Sequence, residues 1–71
     1  ISGQYDKAIN RLQIVNQLEP SNVEALLLMA DIYERTGEKA NAVIWYRKSL
    51  PFVKQQEIRA EIEKRIKELS K

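Results

Sequence analysis

Pro20, Gly37 and Pro51 cut this chain into four stretches, and within each stretch apolar residues recur every three or four positions. A chain with two prolines and two glycines has too few breakers for the successive turns of a β-fold. The spacing therefore predicts four helices, over about residues 4–18, 22–36, 39–50 and 55–70. Tyr5, Ala8, Ile9, Leu12, Val15 and Leu18 share one face of the first, while Ile14 falls off it. Pro20 stops this helix because the residue before a proline is disfavoured in the α region. Ser21 and Glu24 then have the spacing of a capping box at the start of the second helix.

The four stretches differ in kind. Val23, Leu26, Leu27, Leu28, Met29, Ala30, Ile32 and Tyr33 surround most of the second helix, so it is expected to pack on more than one side. Gly37 suits the left-handed turn that ends it. The third helix carries Ala42, Val43, Trp45, Tyr46 and Leu50, and Pro51 is expected to close it. The fourth has a thin stripe of Ile58, Ile62, Ile66 and Leu69 with charged residues nearly everywhere between. A helix of that type buries one line and shows water the rest, as the last helix of a stack does.

Size and composition close other routes. Seventy-one residues allow one small domain, with a stability of roughly 0.05–0.15 kcal/mol per residue. The absence of cysteine and histidine removes disulfides, the usual zinc sites, and histidine- or cysteine-based catalysis. It leaves the compartment open. The longest apolar run, residues 25–30, is far below the ~20 residues of a membrane span. The opening Ile1-Ser2-Gly3, without an initiator methionine, reads as the interior of a longer chain. The formal charge of +2 sits wholly in the last eighteen residues, since residues 1–53 hold six bases and six acids. In that tail Glu61–Arg65, Glu63–Lys67 and Lys64–Glu68 have i, i+4 spacing, which predicts a solvated, self-paired face. Attachment of the tail to nucleic acid or anionic lipid is the weaker alternative, because acids interrupt the bases.

One interval organises the rest. Gly3 and Gly37 stand 34 residues apart, as do Ala8 and Ala42. Leu26, Met29, Ala30 and Tyr33 keep the spacing of a Trp-x2-Leu-Gly-x2-Tyr element, and Ala42 with Tyr46 that of an Ala-x3-Phe step. Ala8, Leu12 and Pro20 repeat that step and its terminal proline one unit earlier. On these residues the chain resembles the tetratricopeptide repeat family, whose unit is a 34-residue helix–turn–helix. Leu26 replaces the tryptophan, Met29 the leucine and Lys54 the closing proline, with Pro51 moving the break three residues earlier. The expected fold is all-α: antiparallel helix–turn–helix repeats in a solenoid fragment of about four helices. Residues 1–22 would be the second helix of a truncated unit, 23–54 a complete helix pair, and 55–71 an amphipathic capping helix.

The resemblance implies a non-catalytic scaffold that holds a protein or peptide along the surface made by first helices. Here that surface would present Glu24, Leu27, Leu28, Asp31 and Glu34, with Arg35 at its edge, and would suit a basic or amphipathic segment. Some members grip a C-terminal carboxylate with lysine, arginine and asparagine, but Leu27, Leu28 and Asp31 stand at the matching places and offer no such donors. Tyr46 falls on a core position, whereas Trp45 is divided between core and a partner contact. Repeat arrays normally need about three units, so the face of Tyr5, Ile9, Leu12 and Val15 is expected to associate with a second copy. No cofactor or metal is called for. Glu34 and Glu38 are four apart across the break at Gly37, nothing sets their environments apart as acid–base work requires, and no phosphate-binding loop occurs.

Overall fold

A computed structural model describes residues 2–71, so the unit expected over 1–22 begins at a residue, Ile1, outside the described ones. Four helices follow one another: α1 (Ser2–Leu18), α2 (Val23–Arg35), α3 (Lys39–Ser49) and α4 (Gln56–Leu69), with a 3₁₀ turn at Leu50–Phe52. Each helix packs mainly on its sequence neighbour, α1 on α2, α2 on α3 and α3 on α4. The resulting slab measures 33 × 30 × 14 Å.

The α2–α3 pair forms the centre. Ala30 and Ala42 are both wholly inaccessible, and a methyl at each position lets two helices approach closely. Tyr46, Val53, Ile62 and Ile66 join them in one cluster, with Leu27, Tyr33, Trp45 and Leu69 partly buried against it. Ala25, Leu26, Met29, Ala30 and Ile32 are all buried on α2, the helix expected to pack on several sides. No residue from 3 to 18 in α1 is buried. Ser49 is the one buried polar side chain among the described residues, and its hydroxyl donates to the Tyr46 carbonyl at 2.6 Å.

The turns follow from identifiable residues, with one correction. The cap of α2 is Asn22 rather than Ser21. Asn22 has extended backbone, and its Oδ1 accepts from the Ala25 amide at 3.1 Å while its Nδ2 donates to Glu19 at 3.0 Å. Asparagine caps at least as well as serine, and here its amide also ties back to the end of α1. At the other end Gly37 has φ 83°. The Glu38 amide donates to the Tyr33 carbonyl at 2.8 Å and the Gly37 amide to the Glu34 carbonyl at 3.1 Å, which is the Schellman pattern. Pro51 closes α3 through the 3₁₀ turn, where the Val53 amide donates to the Leu50 carbonyl at 3.2 Å.

Two further expectations are revised. Leu18 is 78% exposed, because each three-residue step falls ~60° short of a full helical turn and carries it off the face that Leu12 and Val15 share. Arg65 pairs with Glu34 of α2 at 3.2 Å, not with Glu61 one turn away. Glu34 is already held by the Tyr46 hydroxyl in a partly buried setting, so its field is less screened and less side-chain freedom is lost on pairing.

Candidate functional site

Geometry gathers a groove between α2 and α4, of about 440 Å³. Leu27 of α2, Tyr46 of α3, and Ile58 and Ile62 of α4 provide its apolar surface, while Glu57, Glu61 and Arg65 stand along the α4 side. Ile58 belongs to the α4 stripe by spacing, yet it is 40% exposed because it lies in the first turn and opens onto this groove. The contribution of α4 is the part sequence reasoning missed. Its signal was present, since Glu57, Glu61 and Arg65 share one flank of the Ile58–Ile62 line at i, i+4 spacing.

The six groove residues expected on α2 do not line one cavity. Leu27 faces the α4 side, and Glu34 faces α4 through Arg65. Glu24 and Leu28 instead line a cleft toward α1, together with Leu12, Val15, Asn22 and Ala25. Glu24 also sits in the first turn of α2, where a carboxylate favours the helix dipole. Asp31 accepts from Arg35 Nε at 2.8 Å, an exposed i, i+4 pair that lines neither cleft. Tyr5, Ile9, Leu12 and Val15 are half-buried.

A small polar network forms the edge of the groove. The Tyr46 hydroxyl donates to Glu34 Oε1 at 2.9 Å, and Arg65 Nη1 donates to both Glu34 oxygens at 3.2 Å. One carboxylate thus joins α2, α3 and α4. Burial of the ring, and then the hydrogen bond to Glu34, push the Tyr46 phenol up from 10.0 to about 12, with Arg65 opposing. Glu34 in turn holds Arg65 more firmly protonated. Glu38 turns away toward Asn41, whose Nδ2 donates to it at 3.3 Å, so Glu34 and Glu38 serve different partners.

Two carboxylates, Glu57 and Glu61, and one guanidinium, Arg65, line the groove, and α2 carries a second guanidinium, Arg35. Both guanidiniums are committed to α2 acids, so Glu57 and Glu61 have no ion-pair partner among the described residues. The acid excess therefore lies on α4. Arg59, one of the six bases of the last eighteen residues, donates to the Leu50 carbonyl at 2.7 Å and the Val53 carbonyl at 3.2 Å. It closes the end of α3 and anchors α4. Trp45 is half-buried against the core with Lys48 Nζ 4.3 Å from its ring centroid.

Among the described residues no cluster of three or more acidic side chains could hold a metal ion. No described helix is long and apolar enough to cross a membrane. Compared with known proteins, residues 1–60 match the family model described as tetratricopeptide repeat, a span that takes in α1, α2, α3 and the first residues of α4. No curated protein and no solved structure matches the chain.

Proposed function

The chain belongs to the tetratricopeptide repeat family, and from that premise we propose that it seats a basic, amphipathic segment of a protein partner in the groove between α2 and α4. Repeats of this family generally mediate protein–protein interaction and are generally non-catalytic. The observation that carries the finer reading is the groove itself: an apolar surface of Leu27, Ile58 and Ile62 beside Glu57 and Glu61, whose charges are not internally paired. An amphipathic segment places its apolar side on such a floor and its bases against the rim. In this reading residues 1–22 serve as the second helix of one unit, 23–54 as a complete unit and 55–71 as the cap.

The test uses charge reversal away from the structural network. Glu34→Lys is a poor probe, because Glu34 holds Tyr46 and Arg65. Glu57→Lys with Glu61→Lys instead reverses the exposed rim. A synthetic leucine–lysine helical peptide should bind the parent chain and lose about tenfold or more in affinity to this variant, with far-UV circular dichroism unchanged. Equal affinity for both proteins refutes the groove reading.

A second reading, self-association along α1 through Tyr5, Ile9, Leu12 and Val15, is favoured by one observation. No residue from 3 to 18 is buried, and Tyr5, Ile9, Leu12 and Val15 are only half-covered. Sedimentation equilibrium should then show mass rising with concentration, and Tyr5→Glu with Ile9→Glu should suppress the rise. A constant monomer mass removes this reading.

A further inference from the structure

The two flanks of α4 differ in charge, with Lys64 at the boundary, where it lines both the cleft against α3 and a second cavity shared with Glu61 and Glu68. Glu57, Glu61 and Arg65 lie on the flank toward α2, and the other flank presents Ala60, Glu63, Lys64 and Lys67 to a cleft against α3. That cleft has a volume of about 750 Å³, with Leu50, Ala60 and Ile66 as its apolar lining. Arg47 stands on the α3 wall, Lys64 and Lys67 on the α4 wall, and Glu63 is the single acid. The surrounding sequence has the same bias, since residues 39–54 contain Lys39, Arg47, Lys48 and Lys54 and no acidic residue.

These bases are not neutralised from within. Spacing alone pairs Lys67 with Glu63 and Lys64 with Glu68, yet neither lysine forms an ion pair, and neither does Arg47, among the described residues. An apolar trough between two helices, with uncompensated bases along both walls, is complementary to a helix with one apolar and one acidic face. Nucleic acid would gain nothing from the apolar lining and would meet Glu63. A bilayer needs an apolar surface that projects outward, and this one is recessed.

We propose that the α3–α4 cleft seats an acidic amphipathic helix of a protein partner. It does so independently of whether the groove on the other flank is filled. The molecule then has two docking surfaces of opposite charge preference, separated by the width of α4.

The probe is a synthetic helical peptide with leucines at i, i+3, i+4 and i+7 and glutamates at the remaining positions, titrated by fluorescence anisotropy against the full 71-residue chain. The expected result is saturable binding with amide shifts at Leu50, Ala60 and Ile66. Lys64→Glu with Lys67→Glu should weaken it by about tenfold or more. Ala60→Glu, at an exposed position of the cleft that good helix formers tolerate, should weaken it similarly while circular dichroism stays unchanged. Glu57→Lys with Glu61→Lys should not weaken it, which separates this site from the groove. Shifts centred on Leu27 and Ile58, or unchanged affinity in both cleft variants, overturn the proposal. So does displacement of the peptide by a single-stranded oligothymidylate or by phosphatidylserine vesicles at equal charge concentration, which would make the surface a general anion binder.

Discussion

Replacing Tyr46 with phenylalanine removes one oxygen and leaves the ring, so it isolates the hydrogen bond that links α3 to α2 and α4. The ring is 6% exposed, and the hydroxyl lies 2.9 Å from Glu34 Oε1. A hydrogen bond to a charged acceptor contributes about 1.5–3 kcal/mol. Glu34 keeps Arg65 at 3.2 Å and remains 29% accessible, so the carboxylate is not left stranded. The cost should therefore fall near the lower end, about 1.5 kcal/mol. A chain of this length has a total stability of only about 4–10 kcal/mol, so the loss is a substantial share. Urea unfolding followed by circular dichroism at pH 7 should show a lower midpoint with an unchanged slope. A second arm uses pH. The folded phenol binds its proton more tightly than the unfolded one, being pushed from 10.0 up to about 12. Its stabilisation is complete below pH 10 and is lost as pH rises through about 12. The stability gap between parent and Tyr46→Phe should narrow across that window. Equal midpoints at pH 7, or a gap that stays constant through pH 12, would refute the reasoning.

Other consequences are equally direct. Asn22→Ala should cost about 1 kcal/mol through the lost cap, whereas Ser21→Ala should stay within about 0.5 kcal/mol, a contrast readable by thermal melts. Gly37→Ala should destabilise by about 1–2 kcal/mol. A Cβ there meets nothing within 4 Å, so that cost would come from φ 83° alone, and an equal melting temperature would contradict it. Arg59→Met takes the donor from the Leu50 and Val53 carbonyls, at about 1–2 kcal/mol. Hydrogen exchange should then speed up in α4 more than in α1 or α2, and uniform acceleration would argue against an anchoring role.

Legibility differed between kinds of residue. The breakers Pro20, Gly37 and Pro51 act locally through φ restriction and missing donors, and helix ends came out within a residue or two of where they predict them. Ala30 and Ala42 were placed in the repeat by their spacing to Tyr33 and Tyr46, a local pattern, and both are wholly inaccessible. The charged residues were far less legible. Arg59 and Arg65 resemble their neighbours Lys64 and Lys67 in sequence, yet one caps α3 and the other bridges to Glu34 thirty-one residues away. Long flexible side chains reach partners that no fixed interval encodes.

The amino-acid sequence by itself determined the helices, their order, the apolar all-round character of α2 and the repeat to which they belong, because these depend on backbone preference and on periodicity within a few residues. Only the tertiary structure decided which flank of each helix stays open. It set Leu27 beside Ile58, turned Glu24 and Leu28 toward α1, and assigned Glu34 to a three-helix network. It also put Glu57 and Glu61 in one cleft and Lys67 in another, with Lys64 lining a cavity beside Glu61 as well as the cleft against α3. The physical reason is that a docking surface is made by residues from two helices at once, and their relative placement is fixed by how side chains such as Ala30, Ala42 and Tyr46 fill the space between them.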